Sequence, residues 1–418
     1  MNVLIVSNNA VSKVLNNGKT QENIFNSFQK DNLYQLFVRP QSSDLMDMDF
    51  CDSYFLIHEK EMIFRRSNCG SIFTKNDCQH ISKDVKKYDS LVRIRSGFSL
   101  IIREMLWLLR LWRTKSLSAW LEDIKPQIIF FDAGNLGGLH ILVRHISNKM
   151  NIPYVVYNSD DYIINPKVSG LFSYFHKSYI SYQYAKTYKE SKENYCINKY
   201  MCDSYATRFN KKFNVLTNSV EVESPQKYTI KNVTVISYFG GIHLNRWRML
   251  ARLSKLLPAN TILNVYTFNN LSSEQNKVFA DAGVVLKEGL KGAELNKAII
   301  ESDILLHVES DDEINKSLTM LSMSTKIPEY LMAGRLVLGF GPEEVASMRF
   351  LKDNEVGIVL DSLDADEKIE ENLKRLVLDR KSIAEYSFAA HEFASNNFDK
   401  QVISEDFRKS LFKLLINK

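Results

Sequence analysis

Val233-Thr234-Val235-Ile236-Ser237-Tyr238-Phe239-Gly240-Gly241 decides how the chain is read. It is a short apolar run closed by a glycine pair, the form of a buried β-strand that enters a tight strand-to-helix turn. The chain has already opened once in this way, with Val3-Leu4-Ile5-Val6. A strand series that starts twice predicts two sheets, and the polar, aperiodic stretch 218–231 marks the linker between them. On this reading residues 1–220 form one domain and 221–395 another, while 396–418 form a helix that packs back on the first. Working outward, apolar runs at 128–131, 154–157, 262–266, 304–308 and 336–339 alternate with helical stretches such as 246–257 and 293–301. Pro126 and Pro153 stop the helix ahead of two of these strands. The expected class is α/β, two doubly wound domains facing across a cleft, with ligands beside the carboxyl ends of both sheets. Residues 40–95, which include Asp44-Leu45-Met46-Asp47-Met48-Asp49, read as decoration of the first sheet. Two further helical patterns, 382–394 and 399–415, close the chain.

Composition removes several classes of function. With 418 residues, 45% of them hydrophobic, 25% charged and only 8 Pro, the chain is globular and not disordered. A net charge of +5 is too mild at this length to point to nucleic acid. Five cysteines, Cys51, Cys69, Cys78, Cys196 and Cys202, are odd in number and scattered without metal spacing, so reduced thiols are expected. The opening residues read as a strand rather than a signal segment. The longest apolar candidate, 98–112, is interrupted by Arg103, Glu104 and Arg110, too soon to span a bilayer. The expectation is a cytoplasmic chain.

The richest motif is Ser324-Thr325-Lys326-Ile327-Pro328-Glu329-Tyr330-Leu331-Met332-Ala333-Gly334-Arg335-Leu336-Val337-Leu338. It is a polar turn, a short helix with a Glu in its first turn, a glycine stop and a buried strand. A helix start suits a phosphate, because its N–H groups are free and its dipole is positive there. Ser324, Thr325 and Lys326 add donors, and Glu329 can accept from a ribose diol. The same residues also fit an ordinary capped helix. Gly240 and Gly241 allow backbone N–H groups close to phosphate oxygens, although a glycine pair also makes a plain turn. Arg246 and Arg248 diverge on one helix, and Arg246 is the one expected to face a ligand.

This stretch resembles the retaining glycosyltransferases of the GT-B architecture, in particular the family-4-like enzymes of bacterial capsule and O-antigen synthesis. The resemblance is carried by Lys326, Glu329-Tyr330-Leu331, Gly334, Arg335 and Val337-Leu338, with Gly240-Gly241 and Leu286-Lys287-Glu288-Gly289 at fitting distances. It covers residues 233–395 and is only architectural over the first half. It implies two Rossmann-like domains, a UDP- or GDP-sugar donor on the second, and Glu329 on the donor ribose. Ser324, Thr325 and Lys326 would face the diphosphate. One departure is plain: the family pattern is Glu, seven residues, Glu, and Leu321 stands where the first Glu belongs. Glu309, Asp311 or Glu313 are the carboxylates near enough in sequence to replace it.

In the first domain, Asn9 ends the first strand, and Asn16-Asn17-Gly18-Lys19-Thr20 precedes a helix. A Walker A reading fails, because that loop needs a glycine where Lys13 stands. Asn9, Lys19 and Asp132 are expected on the acceptor side. Asp132, Asp160 and Asp161 follow apolar strands, where an active site belongs. Asp160 or Asp161 is the candidate base for an acceptor hydroxyl in an inverting reaction, and an Asx turn is the plainer alternative. Asp47-x-Asp49 resembles the metal string of other transferases but lacks strand support. His243 and His307 lie near the donor loops. The basic and aromatic stretch 93–115 is the candidate for peripheral contact with the inner face of the plasma membrane.

The expected function is therefore transfer of a sugar from a nucleotide sugar to a glycan or lipid-linked acceptor in surface polysaccharide synthesis. No metal, no cofactor and no nucleic acid are expected to take part. Asp160, Asp161 and Glu309 are the catalytic candidates; Gly240, Gly241, Arg246, Ser324, Thr325, Lys326 and Glu329 are those for the donor. The alternatives are a nucleotide-sugar epimerase and a non-catalytic binding subunit of the same fold.

Overall fold

The computed structural model describes residues 1–12, 16–39, 46–64, 69–74, 97–224 and 233–416. The described chain forms two compact units, Met1–Ser219 with Lys400–Lys418, and Val220–Asp399.

In the first unit an eight-stranded sheet is built from β1 (Asn2–Asn9), β2 (Asn32–Arg39), β3 (Ser53–Leu56), β4 (Ser71–Phe73), β5 (Ile128–Asp132), β6 (Tyr154–Asn158), β7 (Glu193–Cys196) and β8 (Asn214–Val215). Their order is β4-β3-β2-β1-β5-β6-β7-β8, and only β3 and β4 run antiparallel. The segment expected to decorate this sheet extends it instead, since β3 and β4 add two edge strands. The central strands are buried along their length, as a sheet covered on both faces requires.

The first unit is completed by the last helix, Lys400–Ile416. Phe407 packs its ring edge-on to Phe130 and Tyr195 at centroid distances of 5.7 and 5.3 Å. Ser404 Oγ donates to the Ile24 carbonyl at 2.8 Å and accepts from Ser27 N at 2.8 Å. Asp31 receives both the N-terminal ammonium and Arg408, at 2.7 and 2.6 Å.

The second unit holds β9 (Thr234–Phe239), β10 (Thr261–Thr267), β11 (Val285–Glu288), β12 (Ile304–Val308), β13 (Leu336–Gly341) and β14 (Gly357–Asp361), all parallel in the order β11-β10-β9-β12-β13-β14. The order reverses between β9 and β12, the switch point at which doubly wound sheets bind ligands. The β9–β12 ladder holds only Ile304↔Ile236 and Leu305↔Ser237, whereas β9 and β10 pair from Thr261↔Thr234 to Tyr266↔Phe239. Past Ser237 and Leu305 the two strands part, so a crevice opens in the sheet itself.

Candidate functional site

The residues that fill this crevice are charged. Arg246 heads the helix Arg246–Lys255 and turns its guanidinium toward the end of β12. Its Nε donates to the Val308 carbonyl at 3.1 Å, and its terminal nitrogen holds both oxygens of Glu309 at 3.1 and 3.0 Å. Glu309 is 4% exposed, so this is a buried, bidentate pair. The arginine thus serves a carbonyl that the parted ladder leaves free. His307, on the last turn of β12, donates to or accepts from Ser347 Oγ at 2.9 Å and lies 3.4 Å from Glu309. Burial depresses its pKa to about 4, so its ring is neutral at physiological pH.

Lys326 stands opposite. Its Nζ lies over the Tyr238 ring, 5.6 Å from the centroid. Burial first, and then the neighbouring Arg246 charge, lower its pKa to about 8. Glu329 and Glu309 favour its ammonium. Gly240 has φ +149°, a conformation that favours glycine, and a Cβ there would push the Lys326 amine aside. The result is two neighbouring cations in one crevice, of which Arg246 is paired with Glu309 and Lys326 is held below its usual pKa. Such a site lacks negative charge and invites an anion.

The glycine turn is held open by its own contacts. Tyr238 OH donates to the Gly241 carbonyl at 2.6 Å, and Asn269 Oδ1 accepts from Ile242 N at 2.9 Å. Nearby, at the ends of β10 and β11, Phe268 is 61% exposed and its ring lies directly under Gly289. An exposed aromatic face beside a backbone without a side chain is a ready stacking platform.

Other expected donor residues lie near but do less. Ser324 Oγ accepts from Lys326 N at 3.4 Å, and Thr325 occupies the N-cap without a side-chain cap bond. The helix that follows, Lys326–Met332, has only seven residues, so little dipole is aimed at the site. Glu329 is half-buried in its first turn. Arg248 lies over the Trp247 ring and faces away. Arg335 is buried and structural: its guanidinium donates to the carbonyls of Ile300, Ser302 and Gly334. Leu321 is buried. Of the carboxylates that could replace a Glu there, Asp311 faces Arg252 and Glu313 faces Lys316. Glu309 alone enters the crevice, and it is already bound by Arg246.

The first unit has a polar concavity at its own switch point, between the ends of β1 and β5. It is lined by Asn8, Asn9, Gly18, Gln21, Arg39, Asp132, Ser159 and Tyr162, among others. Asp132 is buried, accepts from Gln21 Nε2 at 2.6 Å, and lies 3.5 Å from Ser159 Oγ. Burial lifts its pKa to about 7, against the Gln21 hydrogen bond; the negative charge of Asp160 lifts it further. Sequence reasoning missed Gln21, Arg39 and Tyr162, which come from separate elements and share no local pattern.

Two expectations are corrected here. Asp161 is no free base: its carboxylate accepts from the backbone N–H groups of Ile163, Ile164 and Asn165, from Asn165 Nδ2 and from Tyr205 OH, at 2.8–3.0 Å. Every lone pair is spent on a buried turn. Lys19 is exposed and does not line the concavity; Gly18 and Gln21 face it instead. The Asp-x-Asp string is also a turn, in which Asp47 Oδ1 accepts from Asp49 N at 3.2 Å. Among the described residues no three His, Cys, Asp or Glu side chains gather as a metal site.

No known family profile matches the chain, and no curated protein matches it in sequence. Solved structures do match it in fold. Sucrose-phosphate synthase from Thermosynechococcus elongatus aligns over 100% of this chain and 99% of its own, with a TM-score of 0.68 at 7% identity. Anabaena HepE, in complex with UDP and glucose, aligns over 98% of this chain and 99% of its own, with a TM-score of 0.64 at 11% identity. The fold is GT-B. A structure of TarM aligns over 70% of this chain, with a TM-score of 0.53 at 14% identity, and the chain spans 55% of that protein's length. Within a GT-B chain, the charged crevice lies in the second sheet and the carboxylate concavity in the first.

Proposed function

We propose that this GT-B chain is a glycosyltransferase that moves a hexose from a UDP- or GDP-sugar to a glycan or lipid-linked acceptor, without a metal, in surface polysaccharide synthesis. The observation that carries the reading is the pair of half-buried cations, Arg246 and Lys326, at the switch point of the second sheet. Charge develops on the departing diphosphate as its bond to the sugar breaks, and two preorganised cations stabilise that charge. Lys326, held near pKa 8 by its surroundings, recovers its proton affinity when a dianion arrives. Phe268 offers a stacking face to the nucleobase, and Glu329 accepts from the ribose. Asp132, Asp160 and Asn9 bind the acceptor hydroxyls. Retention of configuration is proposed from the family-4 resemblance.

Thermal melting with UDP, GDP and their sugars, in EDTA, tests the donor site. At a hundredfold the dissociation constant a ligand adds about 2.7 kcal/mol. Stabilisation by one nucleotide that Lys326→Met abolishes supports the reading. Indifference to every nucleotide in a folded sample removes it. With an acceptor present, release of the free diphosphate separates transfer from epimerisation.

A further inference from the structure

The helices Gly97–Leu108 and Leu171–Glu190 pack on one another in the first unit, and their shared outer surface is apolar. On the first helix Phe98, Ile102 and Met105 fall at helical spacing on one face, with Leu109 in the turn that follows, each more than half exposed. That face is inverted, since a helix on a water-soluble surface turns its polar side outward. On the second helix Leu171, Tyr174 and Phe175 are likewise more than half exposed. The two sets are continuous: Phe98 and Phe172 meet edge to face at 5.4 Å, and Gly97 lies so close to Ser173 that no side chain fits between. A contiguous apolar patch of this size on a soluble surface marks an interaction site.

The charges around the patch identify the occupant. Between residues 97 and 120 the only acid is Glu104, and between 165 and 190 the only acid is Glu190, the last residue of the second helix. Glu104 is buried, where it accepts from the N–H groups of Gly137 and Gly138 at 2.9 and 3.1 Å. The same stretches carry Arg110, Arg113, Lys115, Lys167, Lys186 and Lys189, all exposed. Exposed aromatic and aliphatic side chains on helices that carry six exposed cations, against a single exposed acid, Glu190 at the far end of the second helix, match an anionic lipid surface: acyl chains take the rings and phosphate headgroups take the cations. Another soluble protein would more commonly meet both signs of charge.

We propose that these paired helices dock the first unit on an anionic bilayer. The stretch expected from sequence to touch the membrane, 93–115, supplies one half of the surface; residues 93–96 lie outside those described. The other half, 171–182, comes from a separate helix. Among the described residues no helix is long and apolar enough to cross a membrane, so the contact is peripheral.

The test is sedimentation of the full chain with vesicles of phosphatidylcholine alone and with roughly a third of phosphatidylglycerol. Binding to the anionic vesicles is expected, with little to the neutral ones, and with loss at high salt. The double variant Met105→Ser/Phe175→Ser alters only exposed side chains and is expected to bind about tenfold more weakly while melting as the parent does. Arg110→Glu weakens binding to anionic vesicles alone. Absence of binding to anionic vesicles overturns the proposal, as does equal binding by the double variant. A dimer in solution that the double variant splits also overturns it, because the patch then covers a second copy.

Discussion

Replacing Lys326 by Met is expected to make the empty protein more stable and at the same time blind to nucleotide. An ordinary lysine titrates near 10.5, and burial with Arg246 nearby brings Lys326 to about 8. Keeping its ammonium charged at neutral pH therefore costs roughly 3 kcal/mol of folding free energy. Methionine fills the same space without that cost and forfeits only the contact with the Tyr238 ring, about 1 kcal/mol. The net gain of about 2 kcal/mol corresponds to about 4–8 °C in the melting of a unit this size. The sign with pH follows from linkage. Between about 8 and 10.5 the unfolded chain holds the proton and the folded one does not, so wild-type stability climbs with pH across that window. The advantage of the variant is full at pH 7 and vanishes above pH 10.5. Chemical denaturation at pH 7 and at pH 10.5, with and without a nucleoside diphosphate, reads all of this. A variant that is no more stable at pH 7, or one that still gains stability from the nucleotide, refutes the reasoning.

Glu309→Leu leaves the half-buried Arg246 unpaired and should cost about 3 kcal/mol or more, while the double change Arg246→Met/Glu309→Leu should recover most of it; denaturant melts of wild type, Arg246→Met, Glu309→Leu and the double variant give the coupling. Asp161→Ala removes the acceptor of five hydrogen bonds and should destabilise by about 3 kcal/mol, whereas Asp160→Asn should shift stability by no more than about 1 kcal/mol and act on turnover. Asp132→Asn should stabilise the protein above pH 7, where the buried carboxylate must be charged, and the gain should fade as pH drops toward 4; melting across that range checks it. Phe407→Ala should cost about 3–5 kcal/mol, measured as loss of the first unit's transition.

The fold was legible because a parallel strand buried on both faces must be a short unbroken apolar run. Ile128–Asp132 and Ile304–Val308 are buried at every position and read directly. Strand β2 was not legible, since Gln35 interrupts it. That glutamine is nevertheless fully buried, because it donates to Ser7 Oγ at 2.9 Å and accepts from Val11 N at 3.1 Å. Strand β11 hid for the opposite reason: an exposed edge, Val-Leu-Lys-Glu, has no burial to advertise. In the site, local signals such as the glycine turn and the Lys326 stretch were readable. The partner of Arg246 was not, because Glu309 lies just past a strand more than sixty residues away. Asp160 and Asp161 look alike in sequence, and only the turn after them shows that one is consumed by backbone donors. The helix Leu171–Glu190 escaped notice because its aromatic residues point both inward and outward, which erases the usual stripe.

The way the chain leaves and re-enters the first unit has a consequence for its birth on the ribosome. Val220 and Asp399 are bridged neighbours, with Val220 N donating to the Phe398 carbonyl at 2.9 Å, so the second unit is a closed insertion whose two ends meet. It is contiguous in sequence and can fold once the two helices after its last strand have emerged, since Ile369, Leu373 and Ile383 complete its core. The first unit cannot finish then, because the Phe25, Phe130 and Tyr195 rings wait for Phe407 from the final helix. Synthesis thus runs from first residue to last, but completion runs in reverse, and a nascent chain stalled before residue 400 should hold a finished second unit beside a first unit whose aromatic core is still open to chaperones.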